Sequence, residues 1–111
     1  MVSKYYNQKV VTDDGKKFDS KLEARRYRIL QYMQDSGKIS NLETQVKFQF
    51  VINDVNIGSY IADFAYLHNA DNRIVVEDTK NEYLAKEPIF TYKKKLMKAL
   101  YGIDVVVINT C

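Results

Sequence analysis

The stretch from Gln45 to Thr79 constrains the fold most, because its apolar residues recur at every second position. Val46, Phe48, Phe50 and Ile52 alternate with Gln45, Lys47, Gln49 and Val51, which is the period of a strand with one buried face. Asn53-Asp54-Val55-Asn56 turns the chain into a second strand pattern from Ile57 to Tyr66. Leu67 to Asn72 turns it again, into a third from Arg73 to Thr79. Consecutive strands joined by short polar turns predict an antiparallel meander.

Helical patterns flank the meander. Ser20, three residues before Glu23, makes a capping-box pattern, and such a box satisfies backbone donors left open at a helix start. Leu22, Ile29, Leu30 and Met33 follow at helical spacing, and Gly37 supplies a stop, so a helix is predicted over roughly 20–36. Tyr27 and Leu30, at i+4 and i+7 from Glu23, set that carboxylate beside the apolar face. Pro88 sits near the first turn of a second helix, where its missing N–H costs little. Phe90, Leu96, Met97 and Leu100 give it an apolar face, and Gly102 ends it. The nearly continuous apolar run Ile103 to Ile108 predicts a strand buried on both sides and able to lie parallel to an earlier one. Ahead of all this, Gln8 to Thr12 and Lys16-Lys17-Phe18, joined by Asp13-Asp14-Gly15, read as a small hairpin. The expected order is α-β-β-β-α-β after an N-terminal hairpin, an α/β architecture with a mixed sheet flanked by helices.

A chain of 111 residues fits one domain, expected over 1–111, with a core that needs neither disulfides nor a structural metal. Cys111 is the sole cysteine and His68 the sole histidine, which excludes multi-cysteine zinc sites and paired-histidine sites. Any metal must therefore be held by oxygen, as magnesium or manganese is. The apolar runs are too short to span a bilayer, and Met1-Val2-Ser3-Lys4 lacks the hydrophobic core of a secretion signal. A cytoplasmic location with no membrane partner is expected. Seventeen basic side chains against fourteen acidic ones give +3. Arg25, Arg26 and Arg28 form one basic cluster, and Lys93, Lys94, Lys95 and Lys98 another. Either such clusters are solvated helix faces or they contact nucleic acid. Helical spacing prevents the three arginines from all facing one way.

Two polar interruptions carry the chemistry. Asp63 stands between Tyr60-Ile61-Ala62 and Phe64-Ala65-Tyr66, and burying a carboxylate there is costly unless something compensates it. Ile74-Val75-Val76 then runs into Glu77-Asp78-Thr79-Lys80. Strand alternation puts Asp78 and Lys80 on one face and Glu77 on the other, facing outward, although a bulge would exchange the roles of Glu77 and Asp78. Antiparallel pairing brings Asp63 near Asp78. Two adjacent carboxylates repel, and a divalent cation relieves the repulsion. Such an ion stabilises charge on a phosphate, and a lysine on the same face orients water or stabilises developing charge. Plainer readings are an edge-strand hydrogen bond for Asp63, an exposed ion pair for Asp78 and Lys80 worth at most about 1 kcal/mol, and the capping box for Glu23. Gln45 opens its strand facing either this site or solvent. Tyr92 and Lys95, at i and i+3, could form a phosphate-contacting edge of the second helix together with Lys94.

The pattern resembles the PD-(D/E)XK nuclease superfamily, and within it a small phage-associated family of uncharacterised nuclease-like proteins. The residues that carry the resemblance run from about Phe18 to Ile108. They are Phe18-Asp19-Ser20-Lys21-Leu22-Glu23-Ala24, Tyr60-Ile61-Ala62-Asp63-Phe64, Asp78-Thr79-Lys80, and Tyr92 with Lys93-Lys94-Lys95-Leu96. Ala62 stands where the superfamily name has proline, and Asn81 where glycine often follows the lysine. The resemblance implies a magnesium- or manganese-dependent DNA endonuclease without an organic cofactor. Asp63, Asp78 and the Thr79 carbonyl would hold the metal, Lys80 would be the catalytic lysine, and Glu23 a helix-borne acid aimed at the metal. Arg25, Arg26, Tyr92, Lys94 and Lys95 would contact DNA, with Glu77 and Gln45 as auxiliary groups. By analogy with compact nucleases of this fold, the substrate would be branched or Holliday-junction DNA in phage recombination or replication. The protein would cut it as a homodimer, in the host cytoplasm if phage-encoded. The alternative is a non-catalytic nucleic-acid-binding or phage accessory interaction protein.

Overall fold

The computed structural model describes residues 10–12 and 14–110. The expected N-terminal hairpin is present as β1 (Val10–Val11) and β2 (Lys17–Phe18), paired antiparallel with Val10 opposite Phe18. Gln8, Lys9 and Asp13 of that prediction lie outside the described residues. Asp14 stabilises the turn by accepting from Thr12 Oγ1 and the Lys16 N–H.

Helix α1 (Lys21–Asp35) starts at Ser20, whose hydroxyl accepts from the Glu23 N–H at 3.1 Å. Its buried face is Glu23, Ala24, Tyr27 and Leu30. The expected contact residue Ile29 is 38% exposed, because Ala24 and Tyr27 rotate the packing stripe away from it. The Tyr27 hydroxyl finds a partner in Asp14 Oδ2 at 2.6 Å, which ties the hairpin to the helix.

The meander is as expected in order and sense, but its first two strands are longer. β3 (Ile39–Ile52) pairs antiparallel with β4 (Val55–His68), which pairs antiparallel with β5 (Arg73–Thr79). A four-residue helix, α2 (Glu82–Ala85), follows and was not expected from periodicity. Asn81 caps it by accepting from the Leu84 N–H at 2.8 Å, which gives a physical reason for asparagine at that position. Helix α3 (Pro88–Tyr101) has Pro88 at its start and Gly102 in the left-handed region at φ 69° at its end. β6 (Val106–Ile108) pairs parallel with β5 and closes the order β3-β4-β5-β6. The expectation of a long, doubly buried last strand is overturned. β6 has three residues, lies at the sheet edge, and leaves Val106 42% exposed. The apolar character of Ile103 and Val105 serves the core beneath α3 instead.

Both faces of the sheet are covered. α3 packs with Phe50, Tyr60, Ala62 and Val76, and α1 packs with Ile39, Phe64 and Tyr66. Strict alternation would keep Tyr60, Ala62, Phe64 and Tyr66 on one face; they change face at Asp63. Opposite Asp63, between the paired positions Val46–Ala62 and Thr44–Phe64, Gln45 has a left-handed backbone at φ 53°. Beyond this twist β4 and β5 part, because the pairing with β5 begins only at Phe64–Glu77. No helix among the described residues is long and apolar enough to cross a membrane.

Candidate active site

The site lies in the fork where β4 and β5 separate. Asp63 Oδ2 accepts from the Thr79 N–H at 2.9 Å and from Thr79 Oγ1 at 2.7 Å. The carboxylate thus satisfies a β5 donor for which the departing β4 backbone offers no partner. In a strand, a residue's N–H and C=O face the same neighbour, so the Thr79 carbonyl lies on the Asp63 side.

Asp78 is 2% exposed. Its Oδ2 accepts from the buried Tyr60 hydroxyl at 2.6 Å, and Lys80 Nζ lies 3.6 Å from the same oxygen. Burial and the adjacent Asp63 carboxylate, close enough to share a proton, push the Asp78 pKa up to about 7, with Lys80 and Tyr60 opposing the shift. Burial and the Asp78 carboxylate push the Tyr60 hydroxyl upward in turn, so Tyr60 is a donor at neutral pH. Lys80 also sits over the Phe90 ring, 5.1 Å from its centre.

Glu23 approaches from α1. It is 5% exposed, and Gln45 Nε2 donates to its Oε2 at 3.0 Å. Burial together with the charges of Asp63, Asp19 and Asp78 raises it to about 8. The capping hydroxyl of Ser20 explains the helix start, while the Glu23 carboxylate itself turns toward the site.

Asp63, Asp78, Thr79, Lys80, Glu23 and Gln45 are therefore brought together. Glu77 is not outward-facing as expected. It is 1% exposed on the α1 side, where Arg26 Nε and Nη2 donate to its two oxygens at 2.8 and 2.7 Å and the Tyr66 hydroxyl also donates. Alternation does place it opposite Asp78, but α1 covers that face. The bulge that would exchange the two residues is absent from the described β4–β5 pairing. Arg26, expected at DNA, is engaged by Glu77, whereas Arg25 is exposed. Tyr92 is 71% exposed and Lys95 is exposed on α3, and Lys94 lies over Phe90 at 5.8 Å.

Two participants escaped the sequence reading. Tyr60 was one apolar ring among several, although a buried tyrosine hydroxyl requires a partner. Lys93, in a cluster that reads either as a solvated face or as a nucleic-acid contact and not singled out within it, lines a cleft of about 280 Å³ that contains Asp78 and Lys80.

The donor set is all oxygen and fits a hard divalent cation. Thr79 donates to Oδ2 of Asp63, and Tyr60 and Lys80 approach Oδ2 of Asp78, so none of these three residues occupies either Oδ1. No three acidic, histidine or cysteine side chains among the described residues gather closely enough to hold an ion alone. An ion here would complete its shell with the Thr79 carbonyl, water and substrate oxygens. Comparison with curated proteins and with solved structures finds no match. Residues 2–108 match the family described as "Protein of unknown function (DUF1064)". With nearly its whole length matched, the chain belongs to the DUF1064 family.

Proposed function

We propose that this protein is a metal-dependent phosphodiesterase acting on DNA, in the manner of the PD-(D/E)XK nucleases that its motifs resemble. The observation that carries the proposal is the convergence of Asp63 and Asp78 in the strand fork, with Lys80 Nζ 3.6 Å from Asp78. Asp63, Asp78 and the Thr79 carbonyl would hold magnesium or manganese. The ion would supply positive charge beside the scissile phosphate.

The chain's own groups do the remaining work. Thr79 and Tyr60 fix the orientation of the two carboxylates, so neither must reorganise when charge develops. Lys80, held between Asp78 and Phe90, orients water for attack and stabilises charge on the phosphate. Glu23, raised to about 8 in the metal-free site by burial and the neighbouring carboxylates, presents its carboxyl to the site with Gln45 donating to Oε2. Exposed Arg25, Tyr92 and Lys95 would guide the phosphate backbone. A two-fold dimer would present two sites at fixed separation, suited to branched DNA.

Calorimetry with magnesium and manganese tests the ligand assignment. Asp78→Asn should lose most of the metal affinity with the fold retained by circular dichroism. Unchanged affinity would remove Asp78 from the ligand set. Glu77 is committed to Arg26, so Glu23 would be the next candidate.

A further inference from the structure

The lysines of α3 do not share one environment. Lys98 pairs with Asp104 at 2.9 Å, Lys94 sits over the Phe90 ring at 5.8 Å, and Lys95 is exposed. Of this cluster, only Lys93 lines the cleft that contains Asp78 and Lys80. Helical spacing explains the selection. Ile89 and Lys93 stand one turn apart on a single stripe of α3, and both belong to the wall. Phe90, also one turn before Lys93, is 5% exposed, and its ring centre lies 5.1 Å from the Lys80 ammonium. This buried ring fixes α3 against the end of β5, and with it the place of Lys93 relative to Lys80.

The charges in the cleft are unevenly matched. Lys80 has Asp78 Oδ2 at 3.6 Å. Lys93 is half-buried, and among the described residues its ammonium makes no hydrogen bond and no ion pair. It gives up part of its hydration and receives no carboxylate in return. Glu87 is the other carboxylate of the lining besides Asp78, and it does not pair with Lys93. An unpaired cation beside the groups assigned to the scissile phosphate has an anion as its complement, and in DNA that anion is a backbone phosphate. Phosphates lie on the outside of a duplex as well as along a single strand, so such a contact positions the backbone and reads neither sequence nor pairing.

We infer that Lys93 is a substrate-binding residue that anchors a DNA backbone phosphate in this cleft. The inference rests on the phosphodiesterase reading above and divides two lysines by role: Lys93 holds the substrate, and Lys80 serves the chemistry. Glu87, in the same lining, opposes the anchor by repelling phosphate.

The test measures KM and kcat of the full chain with magnesium on labelled splayed-arm DNA. Binding is followed by fluorescence anisotropy with calcium, an ion of the same preference for oxygen, and manganese affinity by calorimetry. Lys93→Ala should raise KM and weaken DNA binding about tenfold, the lower end of the scale for a hydrogen bond to a charged group, with kcat within about twofold. Manganese affinity should not change, since no proposed ligand is lost. Lys93→Arg should restore most of the DNA affinity. Glu87→Gln should lower KM about twofold, the scale of one solvent-screened charge, a gain that a folding defect would not produce. Lys38→Ala removes an equal charge at the other end of the sheet, where Lys38 is exposed and its carbonyl accepts from the Asn69 N–H of the β4–β5 turn; it should leave both constants nearly unchanged. Lys93→Ala behaving as Lys38→Ala does would overturn the inference, make Lys93 a solvated cover for the apolar wall, and leave the phosphodiesterase reading standing. A fall in kcat at unchanged KM would overturn the anchor by moving Lys93 into the chemistry. Lys93-dependent binding of DNA that is never cut would support the anchor and overturn the enzyme. No cleavage together with binding that ignores Lys93 would overturn both.

Discussion

Lys80, just past the end of β5, reaches back to Asp78 and rests on Phe90, so its ammonium is positioned before any substrate arrives. Replacing it with alanine removes that charge and no proposed metal ligand. The Lys80→Ala protein should bind metal as before and cleave at least ~100-fold more slowly, the scale of losing one preorganised stabilising group. Calorimetry and a cleavage time course measure the two effects separately, and an undiminished rate would place the chemistry elsewhere. The crowded carboxylates make a second residue-scale prediction. Unfolded Asp and Glu titrate near 4, whereas Asp78 and Glu23 in the fold titrate near 7 and 8. Between those values the unfolded chain binds fewer protons than the folded one, so the stability of the metal-free protein should fall as pH rises from about 4 to 8. Magnesium should raise Tm more at pH 8 than at pH 5, because the ion binds the ionised pair; an equal rise at both would contradict the assignment. That Asp63, Asp78 and Lys80 come together was legible in the sequence, because Asp63 interrupts an apolar strand and Asp78 and Lys80 follow the apolar run of the next strand at the spacing of one face. Glu77 was misread, since alternation tells which side a residue takes and not what covers that side.

At the scale of elements, the Arg26–Glu77 pair joins α1 to β5 one turn from Glu23 and one residue from Asp78. That clamp sets the helix-borne acid against the strand-borne one. Arg26→Met would leave Glu77, 1% exposed, without its cation, and breaking a buried pair from one side costs about 3–5 kcal/mol. Urea unfolding should show a loss on that scale, and a change below about 1 kcal/mol would mean that the pair is solvent-screened. Tyr66 also donates to Glu77 and softens the loss. Element order, the meander and both helix starts could be read from periodicity and caps. The extension of β3 back to Ile39 could not, because Ser40 to Thr44 lacks alternation and passes through a left-handed Asn41 at a register shift. α2 was hidden for a different reason: four residues are too few to show a helical period. The β6 run was over-read because apolar residues that fill a core in a loop look the same as those in a strand.

For the whole molecule, the fork between β4 and β5, α1 on one face and α3 on the other bring residues distant in sequence to one cleft. The net charge of +3 is too small to bind DNA without local concentration, and Lys80 and Lys93, which line one cleft, supply part of it. Affinity for a single strand should fall with salt, and Lys93→Ala with Lys95→Ala should flatten the log–log slope by roughly 0.7 for each phosphate no longer neutralised. An unaltered slope would route the strand across Arg25 instead. The face change at Asp63 was not foreseeable from pattern alone, because it needs left-handed Gln45 opposite, a conformation that glutamine seldom adopts. The most direct measurement of the central claim is hydrolysis of end-labelled splayed-arm DNA by wild-type and Asp78→Asn protein, with magnesium, with manganese and with chelator. The wild type should give 5′- or 3′-phosphate products with either metal and none with chelator, and the folded Asp78→Asn protein should give none at all. Intact DNA in every wild-type reaction, or equal cleavage by Asp78→Asn, would contradict the claim.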